Sequence, residues 1–384
     1  MDFGLTQEQS AIRDTARKFS RSRLLPEYRQ RESDGRVDRE LVREMGSLGF
    51  QGPTLPEEFG GAGADFVTLG LITEELAYGD HGVAYLPLLA ALAGEIIAKN
   101  ASKALAQEWL PPICRGEVLP ALALTEPETG SDAAHIALRA RLAGDHYVIN
   151  GEKASISLAD QADVAVVFAR TNPDIPGAKG ISALLIPMDL PGITRTHYND
   201  LGTAAVGRGS IFFEDVKVPA ENLLGDEGSG FTQVMLGFDF NRALIGMQCL
   251  GTARASLEET WEFVVERKAF GSPIAKFEGV TFPLAEAETL LEAARQMCLK
   301  TLWLKDTGER HTSEAAMCKW WVPKVSFDVI KDCLLLHGHA GYSDDFPHQQ
   351  RLRDVLGLQI GDGTAQIMKL IIAREKVGRV AVPY

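Results

Sequence analysis

Tyr147-Val148-Ile149-Asn150-Gly151 decides how this chain is read. Three strand-forming residues run into an Asn-Gly pair, both members of which tolerate positive φ, and the spacing predicts a β-hairpin with a type I′ turn there. Similar short apolar or alternating runs recur at 121–124, 164–169, 181–186 and 211–213, separated by Gly, Pro and Asn. The segment from about Gly116 to Val218 is therefore read as β. On either side the period lengthens. From Thr6, with Gln9 three residues on as a capping box, apolar residues recur at Ile12, Ala16 and Phe19, then at Leu41, Val42, Met45 and Leu48, and at Val67, Leu71 and Leu76. After Pro219 and the glycines at 225, 228 and 230, helical spacing fills 231–263, 280–304, 314–336 and 364–380, four long segments of bundle type. The expected fold class is α+β. An N-terminal helical domain (1–116) precedes a middle antiparallel β domain (117–225) and a C-terminal four-helix bundle (226–384).

A chain of 384 residues with 45% hydrophobic residues is long enough for two or three packed domains. Its formal net charge of -13 and pI near 5.2 argue against a nucleic-acid surface, so any anionic ligand must meet locally placed basic groups or helix ends. The longest apolar run, 83–94, is interrupted by Pro87 and falls short of the ~18 residues of a membrane span. No signal peptide is read at the N-terminus. The five cysteines, Cys114, Cys249, Cys298, Cys318 and Cys333, have no CxxC spacing and lie among apolar residues, which predicts buried thiols and a reducing, cytoplasmic setting.

The chain lacks GxGxxG after a strand and lacks GxxxxGK[ST], so neither a Rossmann unit nor a phosphate loop is signalled. Gly60-Gly61-Ala62-Gly63 follows Pro56-Glu57-Glu58, a loop, and reads as a turn. His337, His339 and His348 have no Cys or carboxylate at ligand spacing, and Gly338, Ala340 and Gly341 beside them read as a helix end. No metal is expected.

Near the C-terminus, Arg353-Asp354 is followed by Ile360-Gly361-Asp362-Gly363-Thr364-Ala365-Gln366-Ile367, which sets one carboxylate between two glycines just before a helix. Taken alone, Asp362 reads as a helix cap. Two further segments, Leu124-Thr125-Glu126-Pro127-Glu128-Thr129-Gly130-Ser131-Asp132 and Glu266-Arg267-Lys268-Ala269-Phe270-Gly271, give it another reading. Together, and in this order, the three resemble the motifs of the acyl-CoA dehydrogenases, a resemblance that extends from about Leu5 to Arg379.

The resemblance implies an FAD cofactor, an acyl-CoA substrate, electron-transfer flavoprotein as electron acceptor and a homo-oligomer arranged as a dimer of dimers. By the same token Leu122, Leu124 and Thr125 line the flavin ring, with Ser155 and Ser157 beside it. A flavin needs fixed donors near its ring nitrogens and carbonyls, because they tune how well it accepts a hydride. Arg267 reaches the FAD pyrophosphate across a subunit interface, and Phe270 packs at the adenosine side. Leu335, Gly338, Thr364 and Gln366 align with cofactor contacts. Ser131, Asp239, Asn241, Arg242 and Gly363 align with the substrate-binding region, and Tyr85, Pro87 and Leu88 fall where the acyl chain ends.

Most members of this family carry a Glu directly before the Gly-Thr pair as catalytic base; here it is Asp362, one methylene shorter. The alternative location used by some members is Asn241, which is no base. Ser155 stands where an aromatic residue is common, Ser157 replaces a Thr, Leu335 replaces a Gln, and Phe277-Glu278 replaces His-Gln. The implied reaction is removal of the α-proton of a thioester by Asp362 with transfer of the β-hydrogen as hydride to flavin N5, on a compact, branched or alicyclic acyl group if the retracted base requires close approach. Carriage by CoA or by acyl-carrier protein is left open. Two alternatives remain: a flavin oxidase of the same fold acting on acyl-CoA or a nitroalkane, and a non-catalytic binding protein that has lost flavin.

Overall fold

The computed structural model describes residues 4–382. Helix α1 (Gln7–Phe19) begins at a complete capping box, with Gln9 N donating to Thr6 Oγ1 and Thr6 N donating to Gln9 Oε1, both at 3.1 Å. Then come α2 (Tyr28–Asp34), α3 (Arg39–Ser47), α4 (Phe66–Gly79), α5 (Tyr85–Asn100) and α6 (Lys103–Cys114). The apolar run at 83–94 lies largely in α5, a buried core helix, and no helix of the described residues is long and apolar enough to cross a membrane. All five cysteines are buried and free.

The middle segment supplies β1 (Pro120–Ala123), β2 (Arg139–Ala143), β3 (His146–Ser157), β4 (Val164–Arg170), β5 (Ile181–Pro187), β6 (Ile193–Arg195), β7 (Arg208–Pro219) and β8 (Leu223–Leu224). They form one sheet in the order β6-β7-β3-β2-β4-β5-β8, with β1 paired to β4 in parallel. Both faces of β4 are covered: Val164, Val166 and Phe168 join one core shared with the helices, while Ala165, Val167 and Ala169 join a second, formed mostly by the sheet with Val42, Leu86 and Leu89 added from α3 and α5. A strand buried on both sides needs no polar alternation, which explains the continuous apolar run at 164–169.

Asn150-Gly151 is not a hairpin turn. β3 runs straight through it, and the chain reverses earlier, at Gly144-Asp145, where Ala143 pairs with His146. The Asn150 side chain is committed across the sheet, Nδ2 donating to Asp215 Oδ1 at 3.0 Å and Oδ1 accepting from Asp215 N at 2.9 Å. The β3–β7 register shifts at this point, with the extra residue on β7 where Asp215 takes φ +50°. Glycine suits position 151 because φ there is +133°, a conformation that L side chains rarely adopt, and a Cβ would also stand 2.9 Å from Leu138 Cδ1.

The C-terminal region contains α7 (Gly230–Glu266), a small hairpin of β9 (Lys268–Ala269) and β10 (Ser272–Pro273), and then α8 (Glu278–Asp306), α9 (Thr312–Leu336), α10 (His339–Tyr342), α11 (His348–Gly357) and α12 (Ala365–Val377). α12 stops short of 380 because Gly378 turns the chain at φ +74°. The 37-residue α7 is the spine, about 55 Å long at ~1.5 Å per residue. It crosses α4 so closely that a Cβ on Gly251 would stand 2.1 Å from Glu74 O.

α11, unanticipated from sequence, ties the three regions together. Arg351, buried, holds Glu259 of α7 with two bonds of 2.7 Å. Asp354 accepts from Tyr28 Oη of α2 and from Thr203 N of the β6–β7 loop, each at 2.5 Å. Arg353 donates to Glu32 Oε1 and Leu201 O, also at 2.5 Å. Burial pushes the Asp354 carboxyl up to about 7, opposed by the Tyr28 and Thr203 bonds. Its folded pKa therefore lies above the ordinary carboxylate value. The stability it contributes is fully present below about pH 4 and is lost as pH rises through about 7. Asp354→Asn, which keeps an acceptor for Thr203 N, should flatten the fall in melting temperature between pH 4.5 and 8 measured by scanning calorimetry. A pH-independent offset between the two curves would show that Asp354 does not titrate in this range.

Candidate functional site

A cavity of about 60 Å³ lies where both halves of the molecule meet. Tyr85, Leu89 and Leu92 reach it from one face of α5, Leu122, Leu124 and Thr125 from β1 and the residues after it, Ser155, Ile156 and Ser157 from the end of β3, Phe238 from α7, and Asp362 from the loop before α12. The spacing of the α5 residues, four and then three apart, is that of a single helix face. Pro87 and Leu88 do not line the cavity, and Leu88 packs into the main core instead.

Asp362 is the acidic residue of the cavity wall. It does not cap α12. Thr364 does so, its Oγ1 accepting from Ile367 N at 3.4 Å, which leaves the Asp362 carboxylate free. Asp362 takes φ +54°, a left-handed conformation that Asp tolerates better than most residues. Asn241 Nδ2 donates to its Oδ2 at 3.0 Å. Burial raises the pKa of Asp362, while Lys319, Arg242 and the Asn241 bond pull against that rise. Lys319 is 1% exposed, and its Nζ donates to Leu358 O at 2.6 Å and Gly363 O at 3.2 Å. Arg242 Nη1 meets Asp239 Oδ1 at 3.2 Å, and Asp239 Oδ2 accepts from Thr312 Oγ1 at 2.7 Å. Arg242 Nε and Asn241 Oδ1 are buried and have no hydrogen-bond partner among the described residues.

The opposite wall is braced from behind. Lys153 of β3, fully buried, donates from Nζ to Leu124 O and to Glu126 Oε1, both at 2.8 Å. Glu126 in turn accepts from Ala137 N at 2.5 Å and Leu138 N at 2.9 Å. Ala154 N donates to Thr125 O at 2.9 Å. Beyond this contact β3 leaves its ladder, the register jumping from Lys153↔Ile211 to Ile156↔Gly209, and Ser155 takes φ +56°. The ends of β1 and β3 are thus locked to each other where they face the cavity.

Of the residues singled out from sequence, Tyr85, Leu122, Leu124, Thr125, Ser155, Ser157 and Asp362 line this cavity, and Asn241, Arg242, Asp239 and Gly363 lie directly behind Asp362. Ser131, Arg267, Phe270, Leu335, Gly338, Thr364 and Gln366 do not line it, and all of these but Thr364 are exposed. Phe270 is 97% exposed and Leu335 65%. Leu89, Leu92, Ile156 and Phe238 were not anticipated, although the helical spacing from Tyr85 would have given the first two. His337 and His348 are buried with their Nε2 atoms 3.5 Å apart, and His337 Nδ1 donates to Cys333 O at 2.8 Å. Among the described residues no group of three His, Cys, Asp or Glu could hold a metal ion.

Comparison with known proteins gives the family of the chain. Residues 6–117, 121–216 and 228–377 match the N-terminal, middle and C-terminal domain models of acyl-CoA dehydrogenase. The chain belongs to the acyl-CoA dehydrogenase family. It is 36% identical over 98% of its length to the probable acyl-CoA dehydrogenase YngJ of Bacillus subtilis, 99% of which is covered. It is 35% identical over 97% of its length to the short-chain specific acyl-CoA dehydrogenase of Clostridium acetobutylicum, again with 99% of that protein covered. The solved structure of butyryl-CoA dehydrogenase from Megasphaera elsdenii superposes with a TM-score of 0.95 at 33% identity, covering 98% of this chain and all of the other. Members of this family are FAD-dependent oxidoreductases acting on CH–CH bonds, and this chain is one of them.

In this acyl-CoA dehydrogenase the Lys153–Glu126 pair is the brace of the strand ends. Desolvation pushes the Lys153 ammonium down to about 8, with Glu126 holding it up. Removing one partner of a buried pair typically costs ~3–5 kcal/mol, because the other charge is left uncompensated. Lys153→Met should therefore lose about that much in urea unfolding, and adding Glu126→Gln should recover part of it. A loss below ~1 kcal/mol would show that the backbone donors at 137 and 138 suffice for Glu126.

Proposed function

We propose that this enzyme oxidises the Cα–Cβ bond of a short or compact acyl-CoA thioester, with Asp362 as the base that removes the α-proton. The observation that carries the reading is that Asp362 is the acidic side chain on the wall of a cavity otherwise lined by apolar and hydroxyl groups. Burial raises its proton affinity, as a base working on a weakly acidic carbon requires, while the cations behind it keep it ionisable. The wall opposite suits a flavin: Leu122 and Leu124 are apolar, Thr125 and Ser157 add hydroxyls, and the backbone at Ser155 leaves the ladder. These residues would hold the ring, and FAD when bound supplies the acceptor for the β-hydrogen.

Arg242 and Asp239 on α7 frame the thioester end of the site, and the buried unpaired Arg242 Nε suits an acyl-CoA bearing anionic groups. The exposed Arg267, Phe270, Leu335, Gly338 and Gln366 serve a neighbouring subunit's cofactor in a homo-oligomer, with Ser131 contacting the CoA moiety. Electron-transfer flavoprotein takes the electrons. Two relatives are named for short-chain and butyryl substrates, and the face of Tyr85, Leu89 and Leu92 with Phe238 encloses a small space, both in keeping with a compact acyl group.

Asp362→Asn should leave a yellow, thioester-binding protein whose anaerobic flavin reduction is slower by at least ~100-fold, since general-base catalysis is worth ~10²–10⁴. Reduction at the wild-type rate would place the base elsewhere. With isobutyryl-, cyclohexanecarboxyl-, butyryl- and octanoyl-CoA and an artificial acceptor, kcat/KM should favour the first three over octanoyl-CoA by tenfold or more, ~1.4 kcal/mol in transition-state binding. Equal or reversed values would reject the compact pocket.

A further inference from the structure

We infer that Lys319 is the positioning residue for Asp362: its ammonium clamps both ends of the loop that carries the base and supplies the positive charge that keeps a buried carboxylate ready to accept a proton. The inference rests on the assignment of Asp362 as base and deepens it. The loop between α11 and α12 is held at its start by backbone bonds from Leu358, Gln359, Ile360 and Gly361 back to the end of α11, and at its end by the Thr364 cap. Leu358 O lies at the C-terminal end of α11, where carbonyls have no partner within the helix, and Gly363 O immediately follows Asp362. Lys319 Nζ donates to both, at 2.6 and 3.2 Å, from the middle of α9. These two bonds span the residues on either side of Asp362 and support its left-handed backbone.

Lys319 forms no ion pair within 4.0 Å among the described residues and is 1% exposed. A buried ammonium with only carbonyl partners is costly, and an apolar side chain of similar length would fill the same space. Burial indeed pushes Lys319 down to about 8, and the charge that most holds it up is Asp362. The other groups facing this pair are Arg242, Asp239 and Cys249 from α7, Tyr85 from α5, Arg208 from β7 and, beyond Arg242, Arg374 from α12. Tyr85 and Cys249 are raised above their ordinary values, Cys249 to about 12, so both stay neutral. The remaining cations are Arg242, Arg208 and Arg374. Lys319 is thus the cation with the largest pull on Asp362, and its substitution leaves in place Arg242 and Asp239, which frame the thioester.

The test is the pH dependence of kcat in the FAD-loaded enzyme, together with hydrogen exchange of the loop at 358–364. In Lys319→Met, loss of a nearby opposite charge should move the acid limb of kcat to higher pH by roughly one unit or more, because Asp362 must be ionised to act and now holds its proton more tightly. The plateau rate should fall ~10-fold or more, since a 1 Å displacement of the base can cost ~100-fold, and loop amides should exchange faster. Lys319→Gln, which restores a donor but no charge, should slow the exchange again yet leave the acid limb shifted, and it serves if the Met variant does not fold. An acid limb unmoved in both variants would reduce Lys319 to a packing residue and overturn the inference. If instead Asp362→Asn reduces flavin at the wild-type rate, it is the assignment of the base that fails.

Discussion

The constraint on which this active site depends is that one carboxylate must be both buried and ionisable. A carboxyl group removed from water tends to stay protonated, and in the proposed reaction a protonated Asp362 could take nothing from a thioester. The fold resolves this by arranging Lys319, Arg242 and the Asn241 amide on the side of Asp362 away from the cavity. They come from α7 and α9, two long helices of the C-terminal bundle that pack against each other. The requirement for long, mutually packed helices and the requirement for a tuned base are therefore met by the same elements, and close crossings such as Gly251 against Glu74 O fix where those elements stand.

The same solution recurs at the opposite wall, where Lys153 is sunk beneath the ends of β1 and β3 and returns its charge to Glu126 and Leu124 O. In both places a lysine joins backbone carbonyls of a segment that lacks a regular ladder or helix. The pairing differs in one respect. Lys153 meets its carboxylate directly and forms a closed pair, whereas Lys319 acts on Asp362 through the loop and through space, leaving the carboxylate oxygens to Asn241 and to a ligand. A directly paired Asp362 would be a structural ion, its basicity spent on its partner.

Much of this was legible in the sequence. Long helices announce themselves by period, and the stretch at 231–263 could hardly be read otherwise; the buried β4 showed as an unbroken apolar run. The turn was misplaced because Asn150-Gly151 satisfies the local rule for a hairpin, while its side-chain partner, Asp215, is 65 residues away and invisible to that rule. Asp362 stood out by its flanking glycines, yet whether it capped α12 depended on Thr364, a competing cap two residues on. Lys319 and Lys153 carried no signal. A single lysine within an apolar helix or strand normally reads as a chain reaching for solvent, and only the tertiary placement of Leu358, Gly363 and Glu126 shows that each reaches inward instead.

The shortened base fits its backbone as well as its charges. Position 362 is left-handed, and a short side chain able to bond locally occupies that conformation at less cost than a longer one. Asp also brings its oxygens near the helix it leans on, which is how Asn241 on α7 can reach Oδ2 at 3.0 Å; a longer acid would carry its carboxylate past this amide and further into the cavity. Asn241 Oδ1, buried and unpaired, then lies beside the same carboxyl group. When Asp362 gains a proton, a rotation of the amide would present that acceptor to the new O–H. Asn is therefore better suited to this position than a purely donating side chain, because the proposed base would have to be stable in both of its protonation states during turnover. The retracted carboxylate and the amide beside it read as one unit, and with Asp362 as the proposed base the cost of the shorter reach would fall on the substrate, which would have to bring its α-carbon closer.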